Sequence, residues 1–345
     1  MSIATRYASA TKARLWAAEE VSYGVYETLL VNPVRIPVSS ETLRESKAGG
    51  GVFHSIERGH APAGSLPLGR SVIEGEIVTE LCANGWGPLL LKHATSGQIN
   101  TVVGESTREH TGTVGTLPVG LSLVKATPYQ RGGGQYVQTF LGCRIDALTL
   151  RFARGRNVEL RAQMLGRERV TSIPAVDDER YEPGDLSMPS RVFTVHMTRN
   201  GYSMESPGNI LSAEFTIENG LGPERYEIEG NGRRSMVPQG RRVINGRMEA
   251  LFSNADEELI ATWLADRDVT IHISGQHAAA GSGVFAEFQF AAVKIRGTPI
   301  PQIAGRGLVR VDFTWQTIVD AMGDEFHWIV GNNESEVSTG LVSRA

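Results

Sequence analysis

The sequence predicts a mainly β protein: two tandem β-barrel or sandwich domains, each with a flanking α-helix, related by an internal duplication. Three observations lead there. Short runs with apolar side chains at every second position recur along the chain, whereas helical periodicity is scarce. The 39 glycines punctuate those runs, as expected for strands joined by turns. One strand-then-helix pattern occurs twice.

In chain order, Ser71–Leu81 is the first well-marked strand. Asn84–Ala94 follows as a short helix, with Pro88 tolerable because it falls in the first turn and Leu89, Leu90 and Leu91 supplying the buried side. Leu148–Phe152 and Val158–Met164 alternate, so that one face of each meets a core and the other meets water or a neighbour. Val192–Met197 and Ala213–Ile217 continue the pattern. Asn254–Ala265 carries the best helix signal: Asn254 accepts at the N-terminus, Glu257 completes a capping box, and Leu259, Ile260, Trp263 and Leu264 share a face that belongs on a sheet. Val309–Trp315 is the last clear alternator, with Phe313 and Trp315 at core positions.

Ser71–Leu81 can be laid on Arg242–Phe252 without gaps: Val, Ile and Gly coincide, Ile77 faces Met248, and Leu81 faces Phe252. Each copy is followed by a helix, then a Gly-rich excursion, then an alternating strand pair ending at Met164 or Trp315. Residues 171–191, with Asp177, Asp178, Glu179, Glu182, Asp185 and several prolines, read as a polar connector. The domains expected are therefore 1–170 with an N-terminal arm, and 192–345 with a C-terminal extension. The excursions Thr95–Thr116 and Gln276–Gly283 are too long for tight turns and are expected to become ordered against a neighbouring subunit.

Composition narrows the function. At 345 residues, 41% hydrophobic and 21% charged, the chain can bury ordinary cores without disulfides or metals. A net charge of -4 argues against a dedicated nucleic-acid binder, which needs a basic surface, while leaving room for a wall that nucleic acid slides past. Cys82 and Cys143 lack the CxxC spacing of a zinc site and are expected as reduced thiols. Residues 1–20 contain no signal-peptide-like apolar run, and no stretch is long enough to span a bilayer, so no membrane partner is expected.

No phosphate loop, GxSxG elbow, HExxH helix or calcium loop is present. His272 and His277 straddle a strand end and a turn and are not expected to converge on a metal. Asp177–Glu179 read as a solvated charge run, Gly132–Gly134 as a hairpin tip, and Cys82 as a small buried hydrophobe. The expectation is no enzyme: no catalytic, cofactor-binding or metal-binding residue, and no cofactor.

Leu117–Leu123, then Gln138–Leu150, then the alternating strand to Gly166, resemble the first half of the major tail tube proteins of long non-contractile-tailed (siphovirus-like) phages. Leu211–Asn219, Asn245–Glu249 with the capped helix after it, and Gly305–Gln316 are similar to their second half. The likeness runs from about Val72 to Val330; the stretch Tyr23–Arg70 and the N-terminal arm carry no matching pattern, and the residues after Asn332 are polar. The resemblance implies two tail-tube-type domains whose sheets line up around a ring, with rings stacked into a conduit for DNA ejection. It implies a virion tail protein, made and assembled in the host cytoplasm, whose partners are itself, a tape measure protein, and tail terminator and tail tip proteins. DNA would pass through the lumen without sequence-specific contact. Duplication within one chain favours three copies per ring with pseudo-sixfold symmetry over six. Inward acids would keep DNA from sticking, but which acids point inward depends on register, which the sequence leaves open. The rival readings are another β-rich virion component (baseplate, head-tail connector or decoration protein) and a carbohydrate-binding or hydrolytic β-sandwich.

Overall fold

A computed structural model of the chain describes residues 13–26, 29–30, 33–48, 70–96, 99–103, 108–128, 135–170, 175–176, 187–199, 202–204, 210–222, 237–251, 265–277, 283–297, 310–318 and 325–332. The chain opens with β1 (Arg14–Glu19), β2 (Leu29–Leu30), β3 (Val34–Ile36), β4 (Ser40–Glu41), β5 (Arg44–Ala48) and the long β6 (Arg70–Glu80). Helix α1 (Trp86–Thr95) comes next, then a hairpin of β7 (Ile99–Val103) and β8 (Arg108–Thr113). The first half ends with β9 (Leu121–Pro128), β10 (Gln135–Ala153), β11 (Glu159–Gly166), β12 (Glu168–Val170) and β13 (Ala175–Val176). The second half contains β14 (Phe193–Arg199), β15 (Tyr202–Met204), β16 (Ile210–Glu218), β17 (Val243–Leu251), β18 (Val269–Gln276), β19 (Phe285–Arg296), β20 (Arg310–Thr317) and β21 (Phe326–Asn332). The chain is thus mainly β, as its alternation predicts. In β20, Val311, Phe313 and Trp315 are buried while Arg310, Asp312 and Thr314 are exposed.

Two long strands organise the sheets by changing partners along their length. The first part of β10 lies between β9 and β12, and its second part lies between β11 and β16. Likewise β19 pairs first with β18 and β21, then with β20. Three antiparallel layers follow: β3–β1–β9–β10–β12; a central sheet β5–β6–β11–β10–β16–β17–β20–β19; and β15–β14–β18–β19–β21–β8–β7. The two-residue β2–β13 pairing is parallel.

Strand β10 turns from one layer into the next through a β-bulge between Phe140 and Cys143, where Gly142 takes φ 63°, a backbone conformation costly for a side chain. The buried carboxylate of Glu20 holds this corner together. It accepts from the N–H groups of Gly24 and Gly142, each at 2.7 Å, and from the Ser122 hydroxyl at 2.9 Å.

Both halves present their strands in the same order: β3–β1–β9–β10–β11–β6–β5 in one and β15–β14–β18–β19–β20–β17–β16 in the other. Their registers match too. Gly75 lies opposite Met164 as Gly246 lies opposite Trp315, and Ile145 and Ile295 are the next partners of Met164 and Trp315. Each glycine is required by space: a Cβ on Gly75 would sit 2.5 Å from the Leu43 Cα, and one on Gly246 would run into the Trp315 ring. The halves meet where Ala147–Ala153 of β10 pair with Glu218–Ser212 of β16, and again where β8 pairs with β21. One buried cluster includes residues of both, with the Phe152 ring of β10 edge-on to Phe193 at 5.0 Å and to Phe288 at 6.1 Å between ring centroids across the boundary. Each edge-to-face contact adds about 0.5–1.5 kcal/mol beyond its buried area.

Several expectations need correction. The Thr95–Thr116 excursion is largely the β7–β8 hairpin, hidden in the sequence because the buried positions of β8 are Arg108, His110 and Gly112 rather than apolar side chains. Helix α1 starts at Trp86 after a Gly85 cap, and it is buried on every side rather than along one face. Tyr23–Arg70, which shows no pattern in the sequence, contains β3, β4 and β5. The end of the expected connector packs on the first half: the Met188 N–H donates to Leu81 C=O and the Val158 N–H to Met188 C=O, both at 2.8 Å. The expected helix Asn254–Ala265, apart from its last residue, lies outside the described residues, as do Gly132–Gly134, Asp177–Glu179 and most of the Gln276–Gly283 excursion.

Polar ties anchor α1. Glu19 meets Lys92 at 2.7 Å and the His93 Nε2 at 2.9 Å. Burial raises the Glu19 carboxyl, but His93 and Lys92 outweigh it and hold the group below its ordinary range. Burial pushes His93 down by more than the bond to Glu19 lifts it. His110, bonded to Thr101 at 3.0 Å and Asn332 at 3.3 Å, is lowered to about 4 by burial and then by Arg108.

Three outcomes are expected. Gly246→Ala overpacks the Trp315 site and destabilises by about 1–3 kcal/mol in chemical denaturation. Glu20→Ala orphans three donors at the β10 corner and costs about 3 kcal/mol. Both lowered histidines bind protons less readily folded than unfolded, so the melting temperature falls as pH drops from 6.5 and the His110 share levels off near pH 4. Glu19 adds a loss below its ordinary value of 4.5. His110→Gln should flatten the first part of that profile in calorimetric scans; an unchanged slope refutes the assignment.

Candidate assembly surface

Register decides which side chains of the central sheet face away from the core. One cross-strand row runs Glu80–Glu159–Arg151–Glu214–Arg247–Thr314–Arg296, drawing on both halves. The next row runs Val78–Arg161–Thr149–Thr216–Asn245–Gln316–Lys294. The Thr149 and Thr216 hydroxyls bond across the junction at 2.8 Å. Opposite-charge and Thr–Thr neighbours of this kind stabilise a sheet modestly.

Five arginines on this face are matched by acid. Arg161 meets Glu159 at 2.6 Å, Arg310 meets Glu249 at 2.7 Å, Arg247 meets Asp312 at 3.4 Å, Arg44 meets Glu74 at 3.7 Å and Arg151 meets Glu214 at 3.8 Å. Such exposed pairs contribute about 0–1 kcal/mol each. Their larger effect is on the surface field, which they leave without a basic track.

The residues weighed for chemistry in the sequence do not come together. Cys82 and Cys143 are buried free thiols, and burial, then Glu20, pushes the Cys143 thiol well up. His272 faces outward on β18, 3.3 Å from Glu287 and with its ring 6.4 Å from that of His196, while His277 is buried beyond the strand end. Among the described residues no group of three or more His, Cys, Asp or Glu is arranged to hold a metal ion. A cleft of about 350 Å3 beside the β10–β16 junction is lined by Arg154, Ser190, Arg191 and apolar groups, without a carboxylate or histidine for acid–base work. A cleft of about 490 Å3 on the open face of the central sheet carries Glu74, Glu76 and Asp146. There Glu74 is tied to Arg44, and Asp146 accepts from the Leu221 N–H at 2.8 Å. No helix among the described residues is long and apolar enough to cross a membrane.

The features that stand out are therefore extended: a polar, charge-balanced sheet face and the strand edges that bound it. The sequence contained the alternation that builds this face, but not the register that aligns it across the two halves.

Comparison with known proteins agrees with a structural rather than a chemical role. No curated protein matches the chain. The sequence model of a family described as phage tail tube protein matches residues 10–317, nearly the whole chain, and on that match the chain belongs to the phage tail tube protein family.

Proposed function

We propose that this chain joins copies of itself into stacked rings forming a siphovirus-like tail tube, with the outward face of the central sheet lining the bore through which viral DNA is ejected. The observation that carries the reading is the β10–β16 ladder: two halves of the same strand order already stand side by side in one sheet, as neighbours in a ring must. The equal strand orders and the Gly75 and Gly246 registers support an internal duplication, with repeats in 1–170 and 192–345 joined by 171–191. Two repeats per chain give three copies per ring and pseudo-sixfold symmetry.

DNA transit needs a wall that does not grip phosphate, because each Lys or Arg contact releases counterions and adds to binding. The paired arginines of the central face meet that need. Assembly takes place in the host cytoplasm, with a tape measure protein and tail terminator and tip proteins completing the tail. The protein catalyses nothing and needs no cofactor.

Electron microscopy of the chain expressed alone is expected to show tubes with three chains per ring. Six chains per ring would refute the threefold arrangement, and single unstacked rings would favour a baseplate, connector or decoration protein. Glu214→Lys with Asp312→Lys should leave tube yield near normal while tubes begin to retain DNA at low salt and infectivity falls. Unaltered DNA retention would remove the central face from the bore.

A further inference from the structure

We propose that the outer edge of β4–β5 is the docking site for the second half of a neighbouring copy of this chain. The inference rests on the tube reading above and adds which edge makes the contact. The pairs Glu41–Ile77 and Arg44–Glu74 belong to one unshifted register that sets Leu43 opposite Gly75, as Phe215 lies opposite Gly246. Strand β4–β5 therefore stands to β6 as β16 stands to β17.

The backbone polarity of the two edges also agrees. The Thr42 N–H donates to Glu76 C=O at 3.0 Å, and bonded pairs alternate along an antiparallel ladder, so the N–H groups of Glu41, Leu43 and Lys47 point away from β6. On β16 the Asn219 N–H donates to Asp146 C=O at 2.7 Å, and Leu211 C=O accepts from the Arg154 N–H at 3.4 Å. The positions facing β10 are thus the counterparts of Leu43 and Lys47. In the second half this edge is covered by the first half. In the first half, β4 and β5 pair only with β6 among the described strands.

An open ladder edge is a template for another strand, and this one has the construction of an edge already in use inside the molecule. Its acids do not repel an incoming chain, since Glu41 is paired with Lys125 and Glu45 with Arg169. The contact joins unlike surfaces of successive copies, the head-to-tail kind that closes a ring.

Proline substitution on the full chain tests the edge. Lys47→Pro removes one outward N–H, which an edge strand tolerates, so circular dichroism and melting temperature should match the wild type while tubes disappear and a single-chain mass remains in light scattering. Ser46→Pro removes an N–H aimed at β6 and should lower the melting temperature instead. Tubes of normal length from Lys47→Pro overturn the proposal. If that variant does not fold, hydrogen exchange of the wild-type chain decides: amides of residues 40–48 should exchange at least about tenfold more slowly in tubes than in dissociated subunits, and equal exchange overturns the proposal. Tubes with an unprotected edge reject this edge alone, whereas a wild-type chain that forms no tubes rejects the tube reading and the edge with it.

Discussion

The architecture depends on the corner at which β10 leaves one sheet and enters another. A single strand of 19 residues serves four neighbours only because Gly142 bends the ladder and the Glu20 carboxylate collects the N–H groups that the bend and the adjoining turn present. Without the bend, the second part of β10 could not lie beside both β11 and β16, and the two halves would share no ladder there. A local backbone irregularity thereby sets the topology. The same logic recurs in the second half, where β19 divides its length between β18 with β21 and then β20.

From that corner the rest of the molecule follows as a problem of packing like against like. The two halves repeat one register, with glycine opposite a large buried side chain and isoleucine as that side chain's other partner, and the central sheet runs across their boundary through the β10–β16 ladder. The face turned to the core is aromatic and aliphatic. The opposite face is a mixture of hydroxyl, amide and largely paired charge. A catalytic pocket concentrates chemistry at a point, whereas here the notable features are lines, namely rows of side chains and edges of strands.

Much of the strand content was legible because it was written locally. Val158–Met164 and Val309–Trp315 alternate strongly enough to mark β11 and β20, and the Gly-centred match of Ser71–Leu81 with Arg242–Phe252 pointed to β6 and β17. Other elements were hidden for identifiable reasons. Strand β8 buries an arginine, a histidine and a glycine, so its alternation is invisible to hydropathy. Strands β3, β4 and β5 are two to five residues long, too short for an alternating pattern to stand out, and they are placed by pairing with β1 and β6. Helix α1 is enclosed on all sides, which leaves no polar stripe to define a face.

By itself the sequence determined that the chain is built of strands, where most of them run, and which side chains of each share a face, because the two-residue period of a strand is a property of neighbouring residues. Only the tertiary structure decided which strands are partners and in what register, and hence that one polar face spans both halves while β4 and β5 pair only with β6 among the described strands. Those choices are made by residues far apart in the chain, through the bend at Gly142 and the space above Gly75 and Gly246, and no local pattern encodes them.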